Sequence, residues 1–374
     1  MTDAFRIRRI QAFCYRYPLT TPVVTSFGTM RDRPAVFVRA EDDDGNIGWG
    51  EVWSNFPPVG AEHRTRLINE MLAPMLAQRN VAHPSEVFEF LSVQLGVMAL
   101  QSGEPGPFAH AIAGIDIALW DLFGRRAVSP LWRLLGGTSG RIRVYASGIN
   151  PTGAVAMAEA ARKRGHRAFK LKIGFDAARD VANLAALRRV IGDDRLAADV
   201  NQAWSLEQAL NSAPKLEQFD LAWLEEPIRA DRPWAEWQAL KQRTVTPLAG
   251  GENISGRDGF AAALDQDIFT VVQPDVAKWG GVTGCIAVAR DVIAAGRSYC
   301  PHYLGGGIGL LASAHLLAAA GGDGMLEVDS NDNPLRDQFC GAVGNIRDGW
   351  VELPEGPGLG IVPDIATIER YRTL

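Results

Sequence analysis

The chain has 374 residues, 47% hydrophobic and 22% charged, with a formal net charge of -5. That length suits two domains with a large core, and the acidic balance argues against nucleic acid as a main partner. Four cysteines (Cys14, Cys285, Cys300, Cys340) stand far apart with no metal or redox spacing; with no signal-like apolar run at the N-terminus, a cytoplasmic protein without membrane association is expected.

Residues 4–17 alternate apolar and basic side chains, as a strand would. Residues 34–40 form a second strand. Asp42-Asp43-Asp44-Gly45-Asn46 is a turn cluster, and 47–53 return as a third strand. Segments 20–30 and 53–58 read as loops. Helices follow near 61–78, 84–98 and 108–126, and Pro130 with Gly136-Gly137 closes the first unit. From Arg141 the rhythm changes. Short apolar strands at 144–146, 169–173, 196–200, 221–224, 247–249, 269–272, 299–300 and 325–328 alternate with helical patterns. Strand-helix alternation predicts a parallel sheet, and eight such strands a closed barrel. The apolar run 308–320 is too short to cross a bilayer and reads as a buried helix. The boundaries expected are an α+β unit at 1–137, joined by a tail at 335–374, and a barrel at 138–334.

Polar residues gather at the C-terminal ends of these strands, the rim where barrel enzymes keep their chemistry. Lys170 and Lys172 share one strand face. Lys172, Asp199, Glu225, Glu252, Asp275, His302 and Glu327 recur at near-constant intervals, one per strand. Taken singly, each carboxylate reads better as a helix cap or rim ion pair. Asp199, Glu225 and Glu252 on three consecutive strands reverse that reading: converging carboxylates need a cation, and all-oxygen ligation suits Mg²⁺. Asp275 beside His302 would fix the ring tautomer. Lys172, beside a like charge, qualifies as a base. His63, His83, His110, His166 and His315 read as packed structural residues. Gly305-Gly306-Gly307 allows close backbone approach, with phosphate cradling as the lesser alternative.

Together these residues resemble the enolase superfamily, in its mandelate-racemase-like subgroup, over almost the whole chain. The segments 115–122 and 130–137 look like its linking helix and barrel entry. The resemblance implies a modified TIM-type (β/α)7β barrel with an α+β capping domain, one Mg²⁺ per active site, a small carboxylate substrate and a homo-oligomer. Asp199, Glu225 and Glu252 match its metal ligands, Lys170-x-Lys172 its base motif, and Asp275 with His302 its dyad. Lys170 and a protonated Glu327 would contact the substrate carboxylate. Lys172 or His302 would remove the α-proton. The loops at 20–30 and 53–58 would close over the substrate, so Thr25, Phe27, Trp53, Asn55, Asn201 and Trp204 are candidate substrate contacts; barrel-helix core is the other reading of Trp204. Ser26 and Arg31 add hydrogen-bonding capacity to an otherwise apolar cap.

Two bases permit two outcomes. Dehydration of a hydroxy or sugar acid to a 2-keto acid is favoured. Racemisation or epimerisation of a smaller 2-hydroxy acid is the alternative. A Schiff-base aldolase using Lys170 or Lys172, and a barrel without catalysis, are the remaining readings.

Overall fold

The structure is a computed structural model that describes residues 4–26 and 28–374, without the side chains of Thr21 and Val24. Its first sheet is antiparallel. Strand β1 (Phe5–Val24) pairs with β2 (Thr29–Asp42), β2 pairs with β3 (Ile47–Val52), and the short β4 (Asn80–Val81) lies on the other side of β1. Asp42 closes the β2–β3 turn, its Oδ1 accepting from the Asn46 N–H at 2.8 Å. The segment 20–30 is mostly not a loop. After an irregularity past Pro18 the ladder resumes, with Val23 opposite Met30 and Val24 opposite Thr29. The Thr- and Val-rich composition of this stretch favours strand over loop. Helix Pro105–Arg126 packs on β3 at backbone contact distance: a Cβ at Gly48 would meet Ala118 O at 2.2 Å, and one at Gly50 would meet Gly114 O at 2.1 Å. Only glycine permits that approach.

The second sheet is the barrel. Its strands are β5 (Arg141–Ile149), β6 (Ala168–Lys172), β7 (Arg195–Asp199), β8 (Leu224–Glu225), β9 (Leu248–Gly250), β10 (Phe269–Val272), β11 (Ser298–Tyr299) and β12 (Met325–Asp329). They run parallel in the order β11-β10-β9-β8-β7-β6-β5-β12. Closure is nearly complete. Among the described residues no ladder joins β11 to β12, and the Met325 N–H instead meets Cys300 Sγ at 3.3 Å. The helices predicted at 177–191 and 308–320 appear as Ala177–Ile191 and Gly307–Ala320, the latter buried along most of its length. Sequence reading missed β13 (Trp350–Glu352), which adds antiparallel to β5 from within the Gly- and Pro-rich tail. Beyond it the chain end runs beside β1, where the Cys14 N–H donates to Leu374 O at 3.0 Å. Among the described residues no helix is long and apolar enough to cross a membrane.

Candidate active site

Alternate residues on a strand share a face, and that rule builds the site. Tyr145, Ala168, Ala197, Trp223, Ala249, Val271, Cys300 and Met325, one from each barrel strand or its edge, pack together as a floor. Two residues further along each strand stand Ser147, Lys170, Asp199, Glu225, Gly251, Gln273, His302 and Glu327. This second layer carries the buried charges.

Lys170 is its centre. Its Nζ lies 2.5 Å from Glu225 Oε1, 2.8 Å from Glu327 Oε1 and 3.9 Å from Asp199 Oδ2. Burial alone would strip its proton, but the carboxylates outweigh burial and hold the pKa well above the usual lysine value. Glu225 also accepts from Trp223 Nε1 at 3.0 Å and Gln273 Nε2 at 2.6 Å. Burial pushes its carboxyl up to about 7, against the pull of Lys170. Glu327 also accepts from Ser147 Oγ at 2.5 Å and the Tyr303 N–H at 2.9 Å. Burial works against its charge, yet Lys170 and His302 more than offset it and hold the pKa below the usual glutamate value. With no substrate beside it, Glu327 is thus held toward its ionised form by neighbouring cations and donors. A Schiff-base lysine needs a free neutral amine, so Lys170, clamped as ammonium, does not suit the aldolase reading.

Above this layer the partners thin out. Lys172 Nζ donates to Asn201 Oδ1 at 2.8 Å, with Asp199 Oδ2 at 3.9 Å. Asn201 and Gln202 have φ values of 49° and 64°. This left-handed pair, which Asn tolerates well, turns the chain so that the Asn201 N–H reaches Asp199 Oδ1 at 2.8 Å. On the other side of the mouth, His302 Nδ1 lies 2.7 Å from Asp275 Oδ2. Asp275 is fixed in turn by the Ala277 and Lys278 N–H groups at 2.8 and 3.1 Å. His302 Nε2 lies 3.3 Å from Glu252 Oε2. Burial disfavours a charged ring, but Glu252, Glu327 and Asp275 overcome it and raise the pKa to about 10. Lys278, which sequence reading missed, pairs with Glu252 at 3.0 Å and lies 4.8 Å from the Trp53 ring centroid. Burial would raise the Glu252 pKa, but His302 and Lys278 together hold it well below the carboxylate range.

Asp199 and Glu225 are in register on adjacent strands, and Glu252 follows two residues after β9. Their oxygen-only chemistry fits Mg²⁺. Their side chains do not converge as expected, however. Among the described residues no three His, Cys, Asp or Glu side chains stand close enough to hold a metal ion. Glu225 turns to Lys170, and Glu252 to Lys278 and His302. Like charges separate, and each takes the nearest cation.

The antiparallel unit closes the mouth. Ser26 Oγ donates to Asn201 O at 2.5 Å, and Asn55 Nδ2 to Leu304 O at 2.6 Å. A cavity of about 50 Å³ remains. Lys172, Asn201, Glu252 and His302 line its barrel wall, and Thr25, Trp53 and Asn55 its cap wall. Lys170, Asp199, Glu225, Asp275 and Glu327 lie outside that lining. Phe27 falls outside the described residues. Trp204 is not in the lining either; it packs on the barrel core. Arg31 is exposed, whereas Arg33, unremarked in the sequence, enters the wall and pairs with Asp329 at 2.7 Å. Behind the dyad, buried Glu51 of β3 accepts from the Gly306 N–H, from the Gly309 N–H at 2.8 Å and from the Tyr303 hydroxyl. Burial raises its pKa to about 7 against those donors. The Gly306 N–H therefore serves the protein's own carboxylate rather than a phosphate.

Residues 7–136 match the mandelate racemase / muconate lactonizing enzyme N-terminal domain, and residues 153–367 the enolase C-terminal domain-like family. An arabinonate dehydratase of Saccharolobus solfataricus is 29% identical, covering 90% of each chain. A 3,6-anhydro-alpha-L-galactonate cycloisomerase of Streptomyces coelicolor is 32% identical over 97% of this chain and 99% of its own. The crystal structure of a mandelate racemase/muconate lactonizing enzyme from Bordetella bronchiseptica RB50 is 51% identical, with a TM-score of 0.94 over 98% of this chain and 99% of that one. A racemase from Streptomyces coelicolor A3(2), solved with bound magnesium, is 28% identical with a TM-score of 0.87 over 98% and 100%. With both halves of the chain matched and the capped barrel in place, the chain belongs to the mandelate racemase / muconate lactonizing enzyme family of the enolase superfamily.

Proposed function

We propose that this enzyme removes the α-proton of a small 2,3-dihydroxy acid and expels its β-hydroxyl, giving a 2-keto acid. The observation that carries the reading is the placement of Lys172 and His302 on one cavity, from different strands, with His302 held by Asp275 at 2.7 Å. A ring kept protonated to about pH 10 is a proton donor near neutrality. Lys172 in its neutral form takes the α-proton, and the C–H electron pair moves toward the substrate carboxylate. As the β C–O bond breaks, His302 gives its proton to the departing hydroxyl, which leaves as water. The resulting enol relaxes to the keto acid. Lys170, fixed beneath as a cation, stabilises the charge that develops on the carboxylate. Asp199, Glu225 and Glu252, once turned toward one another, would hold one Mg²⁺ per site, and that ion would supply Lewis-acid charge. Superfamily relatives with bound magnesium, and the dehydratase among the curated relatives, support this assignment.

One observation favours a second reading. Much of the cap wall is apolar: Val23, Met30, Trp53 and Phe56 offer a polyol little to bond. A smaller acid, returned its proton by His302 on the opposite face, would be racemised. Proton NMR in D₂O with a panel of 2-hydroxy and 2,3-dihydroxy acids separates the two. Loss of the α-proton signal together with 2-keto acid is the expected outcome. α-Deuterium exchange with no water lost would replace dehydration by racemisation.

A further inference from the structure

We propose that Arg33 determines specificity at this site, by donating from its Nε–H to a hydroxyl oxygen at the end of the substrate remote from the reacting carbon. The inference rests on the reading of the site as a carbon-acid enzyme. Arg33 descends from β2 of the antiparallel unit, and its side chain is 4% exposed. It lines the same cavity as Lys172 and His302. Its Nη2 donates to Asp329 Oδ2 at 2.7 Å. Its Nε is buried and, among the described residues, has no acceptor.

That pattern distinguishes a reader from a clamp. An arginine placed only to tie two elements together commonly engages a carboxylate with two parallel N–H bonds. Here one arm of the fork is bonded and the adjacent N–H is left over. Asp329 has no capacity to spare. Its Oδ1 accepts from the Asn331 N–H at 3.1 Å and from Asn331 Nδ2 at 2.7 Å. Arg336 stands behind it, 3.6 Å from Oδ2. A buried donor without an acceptor is unfavourable, and an acceptor entering this cavity with a ligand would satisfy it.

Charge selects which acceptor. Asp329 already neutralises Arg33, so a second carboxylate would meet little net attraction. An uncharged hydroxyl fits. Position selects where it sits. Asp329 is two residues beyond Glu327 on β12, hence one layer nearer the mouth. Arg33 accordingly covers the β12–β5 side, whereas Lys172 and Asn201 rise from β6 and just beyond β7. That side lies across the barrel from β8 and β9, near whose ends Glu225 and Glu252 stand, so the oxygen it reads belongs to the end of the substrate away from the carboxylate.

Matched acids test this: four- to six-carbon aldonic acids and their ω-deoxy counterparts, compared by kcat/KM for α-proton exchange in wild type, Arg33→Lys and Arg33→Gln. Wild type should prefer the hydroxylated member about tenfold or more, and Arg33→Lys should lose that preference through KM while exchange on the deoxy acid changes less than about threefold. Equal losses on both members, or no preference in wild type, would leave Arg33 as an inter-domain clamp only and overturn the proposal. If wild type exchanges no acid at all, the carbon-acid reading falls by itself. The melting-temperature shifts given by the same pairs then decide: equal shifts for both members in wild type overturn the Arg33 assignment, and a larger shift for the hydroxylated member, lost in Arg33→Lys, upholds it.

Discussion

Lys170 and Lys172 are two residues apart on one strand and face the same way, yet they live in different surroundings. Lys170 is 1% exposed and meets two carboxylates within 2.8 Å. Lys172 lines the cavity and meets one amide oxygen at 2.8 Å, with its nearest carboxylate at 3.9 Å. One step toward the barrel mouth thus separates an ammonium clamped by carboxylates from one that faces the cavity. On the proposed mechanism the lower layer sets the field and the upper layer performs the transfer. His302 joins the two, because its Nε2 reaches carboxylates of β12 and of the segment after β9.

Substituting the two lysines should sharpen this contrast most. Lys170→Met strands buried carboxylates without a partner and should cost roughly 3–5 kcal/mol of stability, read by urea denaturation, with turnover lost as well. Lys172→Met should leave the urea midpoint nearly unchanged while slowing α-proton exchange by ~10²–10⁴. Equal stability losses in the two variants would erase the distinction between the layers. Magnesium should raise the melting temperature of wild type, by the equivalent of ~2.7 kcal/mol at a hundred times Kd. Glu252→Gln should abolish that rise. A rise that survives would place the ion elsewhere.

The His302 link gives a pH signature. Its folded pKa of about 10 lies above the ordinary histidine value of 6.5. Its contribution to stability is therefore full below pH 6.5 and lost as pH climbs toward 10. Metal-free wild type should weaken across that window, and His302→Gln should flatten the slope. The smallest effect expected is from Asn201→Ala, which frees Lys172 from its amide. A decline in exchange of about tenfold or less, without loss of fold, would mark Asn201 as a positioning residue.

The barrel and its polar rim were legible because both rest on local pattern. Alternation put Lys170 and Lys172 on one face, and the intervals between Asp199, Glu225, Glu252, Asp275, His302 and Glu327 tracked strand succession. What escaped was pairing across long sequence distances. Nothing near Arg33 signals Asp329, 296 residues away. Lys278 lies in a turn with no periodicity, and Glu51 reads as an ordinary strand residue. The segment 20–30 was read as a loop because it joins two strands, although its Thr and Val residues favour strand. The separation of the three carboxylates was not legible either. It depends on which cation stands nearest, and side-chain pairing settles that, not strand order.

The anchoring of Glu51 bears on how a ligand gets in. Its carboxylate holds the start of helix Gly307–Ala320, and the Trp53 N–H holds Ala277 O at 3.2 Å. The third strand is thereby pinned to the loops that carry both members of the dyad. Lifting the whole lid would drag His302 and Asp275 out of alignment. The Ser26 and Asn55 hydrogen bonds fasten the rest of the cap to the rim separately. Breaking those two would leave the Glu51 and Trp53 anchors, and with them the aim of the imidazole, in place.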